Sequence, residues 1–132
     1  MAQRYDITTS YLEAAGYRPL VAGDDWDHEF EYERPEGSVV DITNFKIWFT
    51  IKKRYEDVDD DAALQYDSDD PTEIEKTDAV NGKFEVHLKS ADTPNLAGSW
   101  SYDLQVKDDS DKITTIAYGT IEFIPQITIA TT

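Results

Sequence analysis

Cysteine is absent from this 132-residue chain, and basic residues are scarce. Without cysteine, neither a disulfide nor a thiolate metal site can form. The 12 lysines and arginines face 28 aspartates and glutamates, which gives a formal net charge of −16. A surface this acidic repels nucleic-acid phosphates and anionic lipids, so we expect neither a nucleic-acid partner nor a membrane partner. The same charge favours solubility and docking onto a basic partner.

Long apolar runs are also lacking. No run approaches the roughly 18 residues that a membrane-spanning helix needs, and the opening MAQRYDITTSYL has no apolar centre of a signal peptide. Hydrophobic residues still make up 39% of the chain and aromatic residues 12%, which is enough for a packed core. We therefore expect one globular domain of ordinary length, made in the cytosol.

Catalytic and cofactor motifs are missing as well. The sequence contains no GxSxG, no GxxxxGK[ST] and no GxGxxG. Of the two histidines, His87 lies opposite the apolar side of its segment and is expected at the surface, whereas His28 shares a side with Trp26 and Phe30. Carboxylates are so abundant that chance pairs of them carry no information about catalysis. The sequence predicts no enzyme, no cofactor and no metal site.

What the chain does have is alternation of apolar and polar residues, which is the pattern of a strand buried on one face. The clearest case is FKIWFTIKKR, which starts at Phe45 and places Ile47, Phe49 and Ile51 on the same side. The pattern recurs in three other segments, WDHEFEYE (26–33), KFEVHL (83–88) and WSYDLQV (100–106). About seven strands and no long helix predict an all-β fold, a single antiparallel β-sandwich that is Ig-like or jelly-roll-like.

Two local features are expected within this fold. In the C-terminal KITTIAYGTIEFIPQITI (112–129), the parity of the apolar residues switches, and we expect a β-bulge at Gly119 to restore the inward face. Asn81 and Gly82 both tolerate positive φ, so they predict a type I′ hairpin turn.

The segment DVDDDAALQYDSDD (57–70) is strongly acidic. Asp57, Asp59 and Asp61 have the 1-3-5 spacing of an EF-hand calcium loop. However, Ala62 occupies the position that needs glycine, and Ser68 occupies the position of the bidentate glutamate. We therefore expect a solvated loop, or an edge hairpin that uses Leu64 and Tyr66, whose charge keeps neighbouring strand edges from pairing with other chains.

Residues 1–22 are predicted to form an N-terminal arm, and residues 23–132 the β-sandwich domain. Ser10 can cap a short helix, with Glu13 three residues later, and Gly16 can end it. A helix of less than two turns is marginal alone, so it needs a surface to pack on. The apolar side chains of the arm that we expect to contact another subunit are Tyr5, Ile7, Tyr11, Leu12 and Tyr17.

Three tryptophans are the other candidates for contacts. Trp26 and Trp100 share a side with the apolar residues of their segments, whereas Trp48 points away from the apolar side of its own. Trp48 is either a contact residue or covered by the arm, and tryptophan is enriched in interface hot spots. Because tryptophan rings can also stack on sugars, a carbohydrate-binding β-sandwich module is an alternative function.

Five segments in order form a wider pattern over roughly residues 23–129. They are GDDWDHEFEY (23–32), DITNFKIWFTIKK (41–53), GKFEVHL (82–88), TPNLAGSWSYDLQV (93–106) and YGTIEFIPQIT (118–128). This pattern resembles small β-sandwich structural proteins of tailed bacteriophages and is similar to the N-terminal domain of the upper baseplate proteins of lactococcal phages. Residues 1–22 and the acidic segment 55–78 lie outside the pattern.

The resemblance implies a structural function without catalysis. The chain would be a virion protein made in the host cytoplasm, serving as a tail, baseplate or tail-fibre adaptor that docks onto other virion proteins and onto copies of itself. It would then be oligomeric in the assembled particle. A capsid decoration (cement) protein is the alternative within the same class, and likeness of fold does not choose between them.

Overall fold

The structure is a computed structural model that describes residues 6–8, 20–34, 36–54 and 62–125. These ranges contain nine strands: β1 (Asp6–Thr8), β2 (Leu20–Val21), β3 (Trp26–Glu33), β4 (Lys46–Lys52), β5 (Leu64–Asp67), β6 (Ile74–Asp78), β7 (Lys83–Leu88), β8 (Gly98–Lys107) and β9 (Ile113–Ile124). In the same ranges the helical elements are two 3₁₀ turns, Ala79–Asn81 and Ser90–Asp92. The predicted all-β class is confirmed. Across the described ranges, no helix is both long enough and apolar enough to cross a membrane.

The strands form two sheets. One has four strands in the order β1-β3-β7-β6, and the other has five in the order β2-β9-β8-β4-β5. The pairing of β2 with β9 is parallel, and the other named pairings are antiparallel. The expectation of a wholly antiparallel arrangement is therefore wrong at β2–β9. Parallel neighbours need a long connection, and here all six strands from β3 to β8 lie between β2 and β9 in the sequence.

Each central strand buries one face, as the alternation predicts. In β4, Ile47, Phe49 and Ile51 are buried, whereas Lys46 and Trp48 on the opposite side are partly exposed. Buried residues of both sheets join in one hydrophobic cluster. Its largest fully buried members include Phe49, Ile42, Ile47, Ile51, Leu104 and Ile121, together with Phe84, Ile74, Leu88 and Val86 of the four-stranded sheet and its connections.

The predicted type I′ turn at Asn81-Gly82 is wrong. Ala79–Asn81 forms a 3₁₀ turn, and only Gly82 of the two has a positive φ, at 73°. The reason that glycine is needed lies outside the turn. A Cβ on Gly82 would lie 2.7 Å from the carbonyl oxygen of Val40 and 2.8 Å from that of Tyr32. The close approach of three backbone segments therefore decides the residue at this position.

The bulge expected at Gly119 lies earlier in β9. Leu104 faces Ala117 but Gln105 faces Thr115, so the extra residue is Ile116. Gly119 instead faces Tyr102, and a Cβ there would lie 3.2 Å from the Tyr102 ring. The parity change is real, and the ladder absorbs it at Ile116, which is buried. Glycine at position 119 leaves room for the buried ring of Tyr102.

The segment predicted as an arm contributes β1 and β2. Asp6–Thr8 pairs with residues 31–33 of β3, so the backbone of this short stretch extends the four-stranded sheet of its own chain. The side chain of Ile7 is not described. The helix expected from Ser10 to Gly16 lies outside the described residues, as do Tyr5, Tyr11, Leu12 and Tyr17 and the aspartates 57, 59 and 61. The arm and its contacts remain predictions.

Candidate binding surfaces

Trp48 lies on the outer face of the five-stranded sheet, as its parity predicts. It stands between Asp67 of β5 and Gln105 of β8, and one row further along, Thr50 stands between Gln65 and Asp103. Because alternate residues of a strand point to the same side, these residues share the face turned away from the core. We call the set Trp48, Thr50, Gln65, Asp103 and Gln105 the Trp48 face.

The Trp48 face combines an aromatic ring with a polar depression. Thr50 is only 6% exposed although it points outward, and Gln65 Nε2 donates a hydrogen bond of 3.2 Å to its hydroxyl oxygen. The depression has a volume of about 170 Å³ and is lined mainly by polar residues, namely Thr50, Lys52, Gln65, Ser101, Tyr102, Asp103 and Gln105. The face therefore offers several hydrogen-bonding groups beside a half-buried indole.

A lysine covers one end of the Trp48 face. Lys46 Nζ lies 5.3 Å from the centroid of the Trp48 ring and 2.9 Å from Oδ2 of Asp69. The hydrogen bond to Asp69 raises the pKa of Lys46 above its usual value. A positive charge thus sits against the ring, where the electron-rich face of an indole attracts a cation.

The other two tryptophans serve the core. Trp100 packs against the buried cluster and donates its indole N–H to the Leu96 carbonyl at 2.9 Å. Trp26 also packs against the cluster, and its ring stacks on His28 with centroids 5.1 Å apart. Of the three tryptophans considered as sugar-stacking residues, Trp48 alone belongs to an outward sheet face.

The acidic turns that the structure describes are held by their own hydrogen bonds. Asp67 accepts the N–H of Asp69, and Asp108 accepts the N–H groups of Ser110 and Lys112, each at 2.9 Å. Such side-chain acceptors favour turns. Ser68, at the position where an EF-hand needs glutamate, accepts the N–H of Ile47 at 2.9 Å. These carboxylates therefore stabilise the turns between strands.

A second cluster was not expected from the sequence. His87, predicted at the surface, has a side chain that is 22% exposed and is contacted by three carboxylates on the outer face of the four-stranded sheet. Its Nδ1 lies 2.7 Å from Oδ1 of Asp27 and 3.6 Å from Oε1 of Glu85, and its Nε2 lies 3.1 Å from Oε1 of Glu75. We call His87, Asp27, Glu75 and Glu85 the His87 cluster.

The carboxylates determine the electrostatics of this histidine. Burial alone lowers the pKa of His87, but the hydrogen bonds to Asp27 and Glu75 outweigh it and raise the pKa above the usual value. The sequence contained one indication of this cluster, because Glu85 and His87 are two residues apart and therefore lie on the same side of β7. The partners from β3 and β6 depend on register, which the alternation does not give.

The structure thus separates two outward surfaces, one on each sheet. The Trp48 face is aromatic and polar, and the His87 cluster is an imidazole among carboxylates. No protein-family model matches the chain, and no curated protein is significantly similar to it in sequence.

Proposed function

We propose that the chain is a non-enzymatic structural subunit of a tailed-bacteriophage particle, a tail, baseplate or tail-fibre adaptor that docks onto other virion proteins. The docking elements are the Trp48 face and the arm. The observation that carries the proposal is the position of Trp48, a half-buried indole on the outward side of a regular sheet. Five phage-like sequence segments support the class of particle, and the core shared by two sheets supports a β-sandwich.

Trp48 is well suited to a protein interface. A tryptophan at the centre of an interface supplies a large apolar area, and polar neighbours around it exclude water and fix the orientation. Thr50, Gln65 and Gln105 provide donors and acceptors next to the ring. The net charge of −16 favours encounter with a basic partner surface.

The first test asks whether the chain enters particles at all. Particles purified from a producing host should contain the chain at a fixed ratio to the major tail subunit, measured by quantitative mass spectrometry. Antibody labelling in electron micrographs should mark the tail or baseplate. Labelling over the capsid would select a decoration protein, and absence of the chain from purified particles would refute the virion function.

The second test asks whether Trp48 mediates docking. Trp48→Ala should lower incorporation by about tenfold or more, because truncation of a hot-spot residue costs roughly 2 kcal/mol or more. Val80→Ala is the matched control, since Val80 is 63% exposed and lies outside the Trp48 face. Both variants should melt at the wild-type temperature. If Trp48→Ala protein enters particles at the wild-type level, this face is not the docking surface.

A carbohydrate-binding module is the second candidate, favoured by the polar depression beside Trp48. This function would operate in the isolated chain, whereas docking needs a protein partner. A glycan array probed with the purified chain distinguishes them. A saccharide signal that Trp48→Ala abolishes would support the carbohydrate function over the adaptor.

A further inference from the structure

We propose that His87, Asp27 and Glu85 form a binding site for a divalent transition-metal ion of the zinc class, with Glu75 as the residue that orients the imidazole. The site lies on the outer face of the four-stranded sheet, away from the Trp48 face. It is independent of the virion function, because it involves none of the proposed docking residues.

The register of three neighbouring strands assembles the site. Asp27 of β3 stands directly opposite His87 of β7, and Glu75 of β6 stands opposite Glu85 of β7. The ladder hydrogen bonds hold these strands together, on both sides for Glu85 and His87 of the central strand β7 and on one side for Asp27 and Glu75. The backbone positions of the ligands are therefore fixed before an ion arrives, which lowers the cost of ordering them.

The distances match an ion held by three protein ligands. One ligand atom from each of Asp27, Glu85 and His87 lies within 4.8 Å of the others. Zinc binds imidazole nitrogen and carboxylate oxygen at about 2.0–2.2 Å, so ligand atoms around a tetrahedral ion are roughly 3.3 Å apart. The separations of 2.7 Å and 3.6 Å from Nδ1 to the two carboxylates bracket this value. Small side-chain rotations would complete the triangle, with water at the open position.

Glu75 is placed to accept a hydrogen bond from a protonated Nε2, and this is the tautomer that such a site needs. Its Oε1 lies 3.1 Å from Nε2 of His87, on the opposite side of the ring from Asp27 and Glu85. If Nε2 carries the proton and donates it to Glu75, the lone pair of Nδ1 points toward the other two carboxylates. A metal-bound histidine commonly donates its second N–H to a carboxylate in this way, which raises its basicity.

The charge distribution gives an independent reason to expect a cation. Glu29, Glu85 and Glu75 occupy directly opposed positions on three adjacent strands, and like charges opposite each other destabilise a sheet. A protonated His87 brings one positive charge to this face, whereas a bound metal ion would bring two. This cluster also differs from the acidic turns in chemistry. It contains an imidazole, whereas the carboxylates of the turns accept backbone N–H groups. Imidazole favours zinc, nickel or copper over calcium or magnesium.

The experiment is a titration of the chelator-treated full chain with zinc chloride, followed by calorimetry. His87→Ala and His87→Gln should weaken zinc binding by at least about tenfold, and Glu75→Gln by about tenfold or more. Glu29→Gln is the matched control, because it removes a carboxylate from the same face without removing a ligand. Its affinity should stay within about threefold of wild type, a change worth under 1 kcal/mol.

Two further readouts tie binding to the named atoms. The ¹⁵N chemical shift of His87 Nδ1 should move on zinc addition, while that of His28 should not. Millimolar calcium should fail to displace the zinc. The proposal is overturned if the wild-type chain binds no zinc at 100-micromolar concentrations (on the order of the weaker sites known for metals). It is also overturned if both His87 variants bind within about threefold of wild type, which would show attraction by surface acidity alone.

Discussion

At the scale of single residues, the hydroxyl of Tyr66 in β5 joins the five-stranded sheet to the connection between β7 and β8. The residue is 3% exposed, and its hydroxyl donates to Oδ2 of Asp92 at 2.6 Å while accepting the N–H of Lys89 at 3.1 Å. Burial, and then the hydrogen bond to Asp92, raise the pKa of Tyr66. The phenol therefore stays protonated at neutral pH and keeps both bonds there.

Tyr66→Phe should lower the free energy of unfolding by about 1–3 kcal/mol, because it leaves the Lys89 N–H and the Asp92 carboxylate without this partner. Urea denaturation followed by tryptophan fluorescence measures the change. Ser99→Ala, which removes a hydroxyl from an exposed residue, should change stability by less than about 0.5 kcal/mol. Equal effects of the two substitutions would show that the Tyr66 hydroxyl contributes little.

The hydrogen bonds of Asp41 and Asp70 predict that the stability of the fold depends on pH in the acid range. In both, hydrogen bonds from a threonine two residues later, first its hydroxyl and then its backbone N–H, lower the carboxyl pKa. A folded-state pKa below the unfolded value stabilises the protein above the unfolded pKa, and the contribution disappears as pH falls through the folded pKa. Urea midpoints measured from pH 5 downward should therefore fall less steeply for Asp41→Asn/Asp70→Asn than for wild type. Parallel curves would contradict the prediction.

At the scale of elements, the connection between β6 and β7 depends on a single glycine. Gly82 has a φ of 73°, and its carbonyl accepts the N–H of Tyr32 at 2.9 Å. The chain after β3 returns across it, so that Val40 donates its N–H to the Tyr32 carbonyl at 3.0 Å. Any side chain at position 82 would enter this crossing of backbones.

Gly82→Ala should destabilise the protein more than Gly37→Ala. Both glycines have positive φ, which costs an alanine about 1–2 kcal/mol, but a Cβ on Gly37 meets nothing within 4 Å. The contact with two carbonyl oxygens should add about 1–3 kcal/mol at Gly82. Thermal unfolding of the two variants side by side checks the difference. Equal losses would mean that the backbone at Gly82 yields to the added methyl group.

At the scale of the whole molecule, the two sheets share one core whose described members begin at Leu20. β1 adds three residues to the edge of the four-stranded sheet, and β2 pairs with the end of β9. Removing residues 2–16 would delete β1 but leave β2 and the described core intact. The fold of the body and the docking function of the arm can therefore be tested in one variant.

We expect the chain lacking residues 2–16 to remain folded, soluble and rich in β structure, and to be depleted from purified particles. Far-UV circular dichroism should show a helical fraction well below about one third, the average of globular proteins. Burial of a few apolar side chains of the arm contributes about 1.5–3 kcal/mol each before entropy costs. If the truncated chain is unfolded, the arm belongs to the hydrophobic core of its own chain and is not a docking element. Normal incorporation would leave Trp48 as the docking residue.

The alternation of apolar and polar residues by itself determined the all-β class, the inward faces of β4, β7 and β8, and the outward direction of Trp48. These properties are local, because side chains alternate along any strand whatever its neighbours. The acidic segment is expected to be a solvated loop or an edge hairpin, and its described part contains β5 (Leu64–Asp67), which is the edge strand of the five-stranded sheet.

Tertiary structure decided everything that depends on which strands pair and in which register. The parallel pairing of β2 with β9, the bulge at Ile116 and the need for glycine at position 82 each come from residues distant in the chain. The His87 cluster is the clearest case, because Asp27 lies 60 residues and Glu75 lies 12 residues from His87 in the sequence. Periodicity fixes the side to which a residue points, but only long-range pairing places Asp27 and Glu75 beside the same imidazole.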